Sequence, residues 1–396
     1  MGRDHFGDRF RIHAIILTKD RPDTLARCVG TALSSLSAPD ALTVLDDSDG
    51  PTSDAVGQTV VRAAANSAAH VVHLRARDLH GLVAQNVDGR QLCWQTKTTA
   101  RDIAPLRNLE LLLSVACKAR TTLLVDDDLH SFDLKETHDY ANRLAAVSEG
   151  AIVGAAIAGT TEQDTLTRLS DAMSVLQSAP DASCMELFRA QATGVVQLGA
   201  PCGWVSAGYL AFRLPSAHLF AFPPGYNEDW LWCLLQGATG HTLVVRSRQT
   251  VLHEPPTVRR SSREDLHFEL LGDFVFDCLS QHVDGIAAIP ELVLQSLNGH
   301  TPDQSLLPVA RVEELLCQHR RIQGNAQHAS GMETLESHGL SLLRDMLRSG
   351  ELAVDGHRVL SAWCSDALRK QRSFAATVRN AALRRAVKRA IEEGTG

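Results

Sequence analysis

The chain has 396 residues, 44 % apolar and 21 % charged, so a large core is available and global disorder is excluded. A formal net charge of −7 excludes a general nucleic-acid binder, which would show a basic domain or stripe; basic residues thicken only from Arg379 to Arg389. Nine scattered cysteines include no CxxC pair, which excludes a zinc cluster and suits reduced thiols.

The first residues lack a basic-then-apolar leader pattern, and the most apolar stretch, 150–159, is far short of the ~20 residues a spanning helix needs. The expectation is a soluble cytoplasmic protein with no membrane span and no nucleic-acid partner.

Residues 11–18 (RIHAIILT) are apolar and β-branched and predict a first strand. Pro22 then opens a predicted helix with Leu25, Val29, Leu33 and Leu36 on one face, Pro being suited to the first turn. Residues 41–45 predict a second strand ended by Asp46-Asp47, 53–69 a helix, and 70–74 a third strand. Residues 75–100 are polar and give no assignment. A helix over 105–119 leads into the run TTLLV (121–125), closed by Asp126, Asp127 and Asp128. Residues 151–225 are mixed, with a strand at 208–213. A helix follows Asn227, and 242–246 predicts a further strand. From 264 onward helical spacing dominates, over 266–281, 309–321, 333–348 and 360–393. Strands alternating with crossover helices imply a largely parallel α/β sheet.

A buried strand ending in three carboxylates puts charge where charge is costly unless something cationic meets it, and a divalent ion with oxygen ligands is the usual candidate. In an open α/β sheet these side chains project where ligands bind, beyond the carboxyl ends of the strands. Each acidic piece also has a bland reading. Asp46-Asp47 stands in good turn sequence, Glu228-Asp229 complements a helix N-terminus, Arg107 could simply start a helix, and His253 sits beside a Pro turn.

Taken in order, "AIILTKDRPDTLARCV", "VLDDSD", "PLRNLELLL", "LLVDDDL", "YNEDWLWC" and "VLHEPP" resemble the GT-A class of nucleotide-sugar glycosyltransferases, family-2-like and DxD-containing, over residues 10–255. The resemblance implies a GT-A-like, Rossmann-type catalytic domain over 1–263. Its nucleotide-binding half would cover about 10–130 and its acceptor half 131–263. The C-terminal region, 264–396, carries no family resemblance; its helical spacing leaves a lid, an acceptor-binding module or a dimerisation module open.

The resemblance also implies site roles. Thr18, Asp20 and Arg21 would contact the nucleotide, and either Asp46 or Asp47 the base or ribose. Arg107, Asp126 and Asp127 would serve the diphosphate side. Asp126, Asp128 and His253 would hold Mn²⁺ or Mg²⁺, His253 favouring Mn²⁺. Asp229, with Glu228 as its substitute, would be the catalytic base.

The expected activity is transfer from a nucleotide sugar, a UDP-sugar foremost, with inversion, in the hexosyl- or N-acetylhexosaminyltransferase class. The acceptor could be a peptide, a glycan, a lipid-linked sugar or a small metabolite, and a homodimer through the C-terminal helices is one option. The Gln-x-x-Arg-Trp signature of processive membrane synthases is missing, since Gln318-His-Arg-Arg-Ile322 lacks the Trp. The alternatives are a nucleotidyltransferase that makes the activated sugar and a silent binding protein of the same fold. Thr18–Pro22 contains no glycine, against the first of these. Two weaker expectations are a backbone approach to the sugar at Gly203–Gly208 and closure over the diphosphate by Arg259-Arg260.

Overall fold

The computed structural model describes residues 10–87, 103–159, 205–215, 219–253, 262–283, 289–325 and 333–393. Eight strands form one sheet in the order β3-β2-β1-β4-β7-β6-β8-β5. The first four, β1 (Ile12–Thr18), β2 (Ala41–Asp46), β3 (His70–Arg75) and β4 (Thr121–Asp126), are mutually parallel, so all four end on one edge. In register, Thr18 lies beside Asp46 and Leu17 beside Asp126.

The second half is mixed. β7 (Tyr209–Arg213) runs antiparallel to β4 and to β6 (Gly150–Gly159), while β8 (Thr242–His253) is parallel to β6. The short β5 (Leu129–His130) closes on β8 with Leu129 opposite His253. The α/β fold class read from the sequence is therefore present: a GT-A-like sheet flanked by helices, with four parallel ladders and three antiparallel ones among the described residues.

Both sheet faces are covered, which explains why β1 and β2 are apolar without alternation. One face buries Leu25 and Val29 of α1 (Pro22–Ser35), Val56 and Val60 of α2 (Gly50–Ala64), and Leu134 and Ala141 of α5 (Leu134–Leu144). The other buries Leu79 of α3 (Ala76–Asn86) and Leu109 and Leu112 of α4 (Ala104–Cys117). α3 lies in the polar stretch that had no assignment; Leu79 and Val83, one turn apart, are its buried face.

The remaining helices are α6 (Glu228–Gly237), α7 (Arg263–Val283), α8 (Pro290–Asn298), α9 (Pro308–Asn325), α10 (Glu333–Ser349), α11 (Gly356–Arg379) and α12 (Ala381–Glu393). α8 is an element the sequence reading lacked. The single helix expected over 360–393 is two, because Asn380 is extended (φ −69°, ψ 106°) and its side chain caps Leu383 N–H. Phe374, Val378, Leu383, Val387 and Ile391 of α11 and α12 enter the same core cluster as α3 and α4. α6, α7, α8 and α11 share a second cluster around Phe274. Among the described residues no helix is long and apolar enough to cross a membrane.

Candidate active site

The ends of β1, β2 and β4 bring the acidic motifs to one place. Asp127 accepts the Thr18 hydroxyl at 2.5 Å and the Arg21 guanidinium at 3.3 Å; the same guanidinium reaches Asp128 Oδ2 at 2.8 Å. The β5–β8 ladder carries His253 across 125 positions of sequence to stand 3.2 Å from Asp128 Oδ2. Asp126 instead turns to α4, where Arg107 donates to its Oδ1 at 2.7 Å. Three carboxylates are thus met by Arg21, Arg107 and His253.

Burial is the largest influence on the Asp127 and Asp128 carboxyls. It pushes Asp127 up to about 7, against the Thr18 hydrogen bond and the Arg21 charge. At Asp128 burial also works upward, but the His253 hydrogen bond and charge, with Arg21, outweigh it and hold the carboxyl below its usual range.

Asp46 and Asp47 differ sharply. Asp46 is 1 % exposed, and its oxygens accept Ser53 Oγ at 2.6 Å, Ser48 N–H at 2.9 Å and His73 Nε2 at 3.0 Å. Asp47 is half-buried, faces the open edge and pairs with Lys19 Nζ at 2.9 Å. Its N–H bonds Thr18 O, and Asp20, in the left-handed region at φ 56°, donates its N–H to Ser48 Oγ at 2.7 Å. The loops after β1 and β2 are therefore stitched together, with the Asp46 side chain inside and that of Asp47 outside.

Farther along, Asn227 takes a left-handed conformation (φ 59°) and starts α6, so Glu228 and Asp229 occupy its first turn. Asp229 Oδ2 accepts Ala207 N–H at 2.8 Å and Oδ1 accepts Trp230 N–H at 2.9 Å. The next residue, Gly208, accepts Asp126 N–H at 2.8 Å, and a Cβ added there would lie 3.0 Å from Asp126 Oδ2. The dipeptide Ala207-Gly208 thus joins the two acidic groups, and a side chain at its glycine would crowd the Asp126 carboxylate. Burial raises the Asp229 carboxyl, opposed by the Ala207 N–H and the Arg107 charge.

Glu110 is the buried ionisable group beside the site that motif reading missed. It is 0 % exposed and binds Arg107 Nη1 at 3.1 Å, one turn along α4. Burial pushes it up to about 7, opposed by Arg107. The signal was present: an acid inside the apolar run Leu109-Glu-Leu-Leu-Leu113 needs an internal cation, and Arg107 stands three residues before it.

Among the described residues no three His, Cys, Asp or Glu side chains converge as a ready-made metal cage. The residues nevertheless fit a divalent cation completed by phosphate oxygens. Asp128 Oδ1 is buried with no hydrogen-bond partner among the described residues, beside an imidazole 3.2 Å from its other oxygen. Carboxylate plus imidazole suits Mn²⁺ better than Mg²⁺. Of the three expected ligands, Asp128 and His253 meet directly, while Asp126 is held by Arg107. Arg259, Arg260, Gly203 and Trp204 lie outside the described residues.

Fold and site together define a GT-A-like α/β protein with an acidic sheet edge, the architecture the ordered motifs implied. No family model matches the chain, and no curated protein sequence does. Among solved structures it is similar to the mannosyltransferase PcManGT from Pyrobaculum calidifontis in complex with GDP-Man and Mn²⁺, at 13 % identity over 91 % of this chain and 86 % of that one, TM-score 0.44. It is also similar to S. aureus TarS 1-349 in complex with UDP-GlcNAc, at 14 % identity over 89 % and 91 %, TM-score 0.37. A third is M. tuberculosis glucosyl-3-phosphoglycerate synthase in complex with Mn²⁺, UDP and phosphoglyceric acid, at 14 % over 70 % and 79 %, TM-score 0.37. Likenesses this loose carry no substrate, metal or mechanism to the chain.

Proposed function

We propose that the chain is a metal-dependent glycosyltransferase that moves a sugar from a nucleotide sugar, a UDP-sugar foremost, to an acceptor hydroxyl with inversion. The observation that carries this reading is the Ala207-Gly208 bridge, which sets a carboxylate able to take a proton, Asp229, beside the aspartate edge.

Asp47 would bond the base or ribose, with Asp46 fixing the turn beneath it. Thr18 and Arg21 orient Asp127 and Asp128. Asp128 and His253 would hold the dication, with Asp126 beside them; bound there, it would stabilise the charge that develops on the leaving diphosphate. Asp229 takes the acceptor hydroxyl proton as the new bond forms between that oxygen and the anomeric carbon. The bond from that carbon to the β-phosphate oxygen breaks, and nucleoside diphosphate leaves. Both Asp229 oxygens accept one backbone N–H, which leaves lone pairs for the proton and keeps the carboxylate oriented.

A donor panel with Mn²⁺ tests the reading. Release of nucleoside diphosphate by the native chain, falling roughly 10²–10⁴-fold in Asp229→Asn, is expected. Release of pyrophosphate points to a nucleotidyltransferase, and no release from any donor points to a binding protein; either result overturns the proposal.

A further inference from the structure

Residues 367–391 hold eight basic side chains and no acidic one, in a chain whose net charge is −7. Positive charge is therefore segregated onto the adjoining ends of α11 and α12 rather than mixed into the surface. Both helices turn their apolar sides (Phe374, Val378, Leu383, Val387, Ile391) into the core over α3 and α4. Their cationic sides necessarily face outward. Arg372, Arg379, Arg385, Lys388 and Arg389 are all exposed. Lys388 reaches Glu392 at 3.7 Å, but the four arginines have no acidic partner among the described residues.

Helical geometry sharpens the pattern. On α12, Arg385, Lys388 and Arg389 fall within one arc, at spacings of three and four. On α11, Arg372 and Arg379 are seven residues apart and share a stripe. Between Arg372 and Ile391 the other exposed positions are small, Ala376, Ala381 and Ala382, while the exposed Arg369 pairs with Asp366. The face therefore has no side chain longer than its guanidinium and ammonium groups, and no exposed aromatic. A surface of this kind suits a polyanion that presents many phosphates: arginine forks bind phosphate in two-pronged fashion, and several such groups on two adjoining helices can meet several phosphates. Stacking on bases, which single-stranded nucleic acid would use, has no aromatic platform.

We propose that the α11–α12 face docks this protein on an anionic phospholipid surface, peripherally and through charge, without inserting an element.

The test is co-sedimentation of the full chain with vesicles at about 0.1 M salt. Binding to phosphatidylglycerol-containing vesicles is expected, with none to pure phosphatidylcholine and release at about 0.5 M salt as charges are screened. The variant Arg372→Gln, Arg379→Gln, Arg385→Gln, Arg389→Gln should lose vesicle partition roughly 10²–10³-fold. Its circular dichroism and its nucleotide-sugar thermal shift should stay native, because none of the four touches the acidic edge. Equal binding to both vesicle types, no binding to either, or native binding by the variant would overturn the proposal. So would displacement from vesicles by a nucleic acid at equal phosphate concentration.

Discussion

Asn227 Nδ2 donates to Asp273 Oδ1 at 2.8 Å, so a helix of the C-terminal half holds the residue that leads into Glu228 and Asp229. The neighbouring Gly272 packs against Tyr226, where a Cβ would lie 2.8 Å from the Tyr226 carbonyl oxygen. α7 therefore shapes the left-handed start of α6 from outside the sheet. Asn227→Gly keeps the backbone free to adopt φ 59° but removes the side-chain bond. Steady-state kinetics should show kcat down roughly 3–10-fold at unchanged donor KM, the size of one lost hydrogen bond. An unchanged kcat would show that α6 holds its own start.

The Arg107–Glu110 pair makes an asymmetric stability prediction. Both side chains are essentially buried, at 3 % and 0 % exposure, so Arg107→Met leaves Glu110 without its cation. Chemical denaturation should register a loss on the order of 3–5 kcal/mol. Adding Glu110→Leu should restore most of it, since a buried pair exchanged for apolar groups is often nearly neutral. Activity should not return with stability, because Asp126 has still lost its 2.7 Å donor. A double variant as unstable as the single one contradicts this.

Asp128 and His253 should act together in metal dependence. Chelation is expected to abolish turnover and added Mn²⁺ to restore it. His253→Ala should raise the Mn²⁺ concentration for half activity on the order of 10–100-fold while leaving the apo protein's melting temperature within a few degrees. A metal titration curve that does not move would remove His253 from the site.

Acid should destabilise the fold through His13. This side chain is fully buried in β1, with Nε2 2.9 Å from Thr43 Oγ1; burial, then the charge of His70, lowers it to about 3. The folded state keeps it neutral while the unfolded chain protonates it near 6.5. Its contribution is complete above pH 6.5 and is lost as pH falls from there toward 3. Urea midpoints at pH 7 and pH 4 should differ by more in the native chain than in His13→Gln. Equal differences would assign the acid sensitivity to other groups.

The C-terminal helices are built into the core, so truncation should be severe. Phe374 is 1 % exposed and shares a cluster with Leu109 and Leu112 of α4. Phe374→Ala is expected to cost about 3–5 kcal/mol by denaturant titration. A loss below about 1 kcal/mol would mean that α11 is only loosely seated.

Much of the sheet was readable because its signals are local. Apolar runs at β1, β2 and β4, Pro22 at a helix start and the carboxylates closing each strand are all set by neighbours in the chain. Parallel pairing then makes the ends of those strands coincide, which is why Thr18, the Asp46-Asp47 pair and Asp126–Asp128 could be grouped before any geometry was known. The helix boundary at Asn380 and the whole of α3 were not readable, since a polar surface hides a short buried face and one extended residue leaves helical spacing almost intact.

What the sequence determined by itself was six of the eight strands, without β5 and β6, and the identity of the acidic side chains. Only the tertiary structure decided how those acids are partnered, because the deciding contacts are long-range and directional. The β5–β8 ladder puts His253 on Asp128, Arg107 takes Asp126, and hydrogen bonds from Ser48, Ser53 and His73 turn Asp46 inward while Asp47 stays at the open edge. Spacing along a chain cannot specify which of two adjacent carboxylates faces the core; the pleat and the partners on neighbouring strands do.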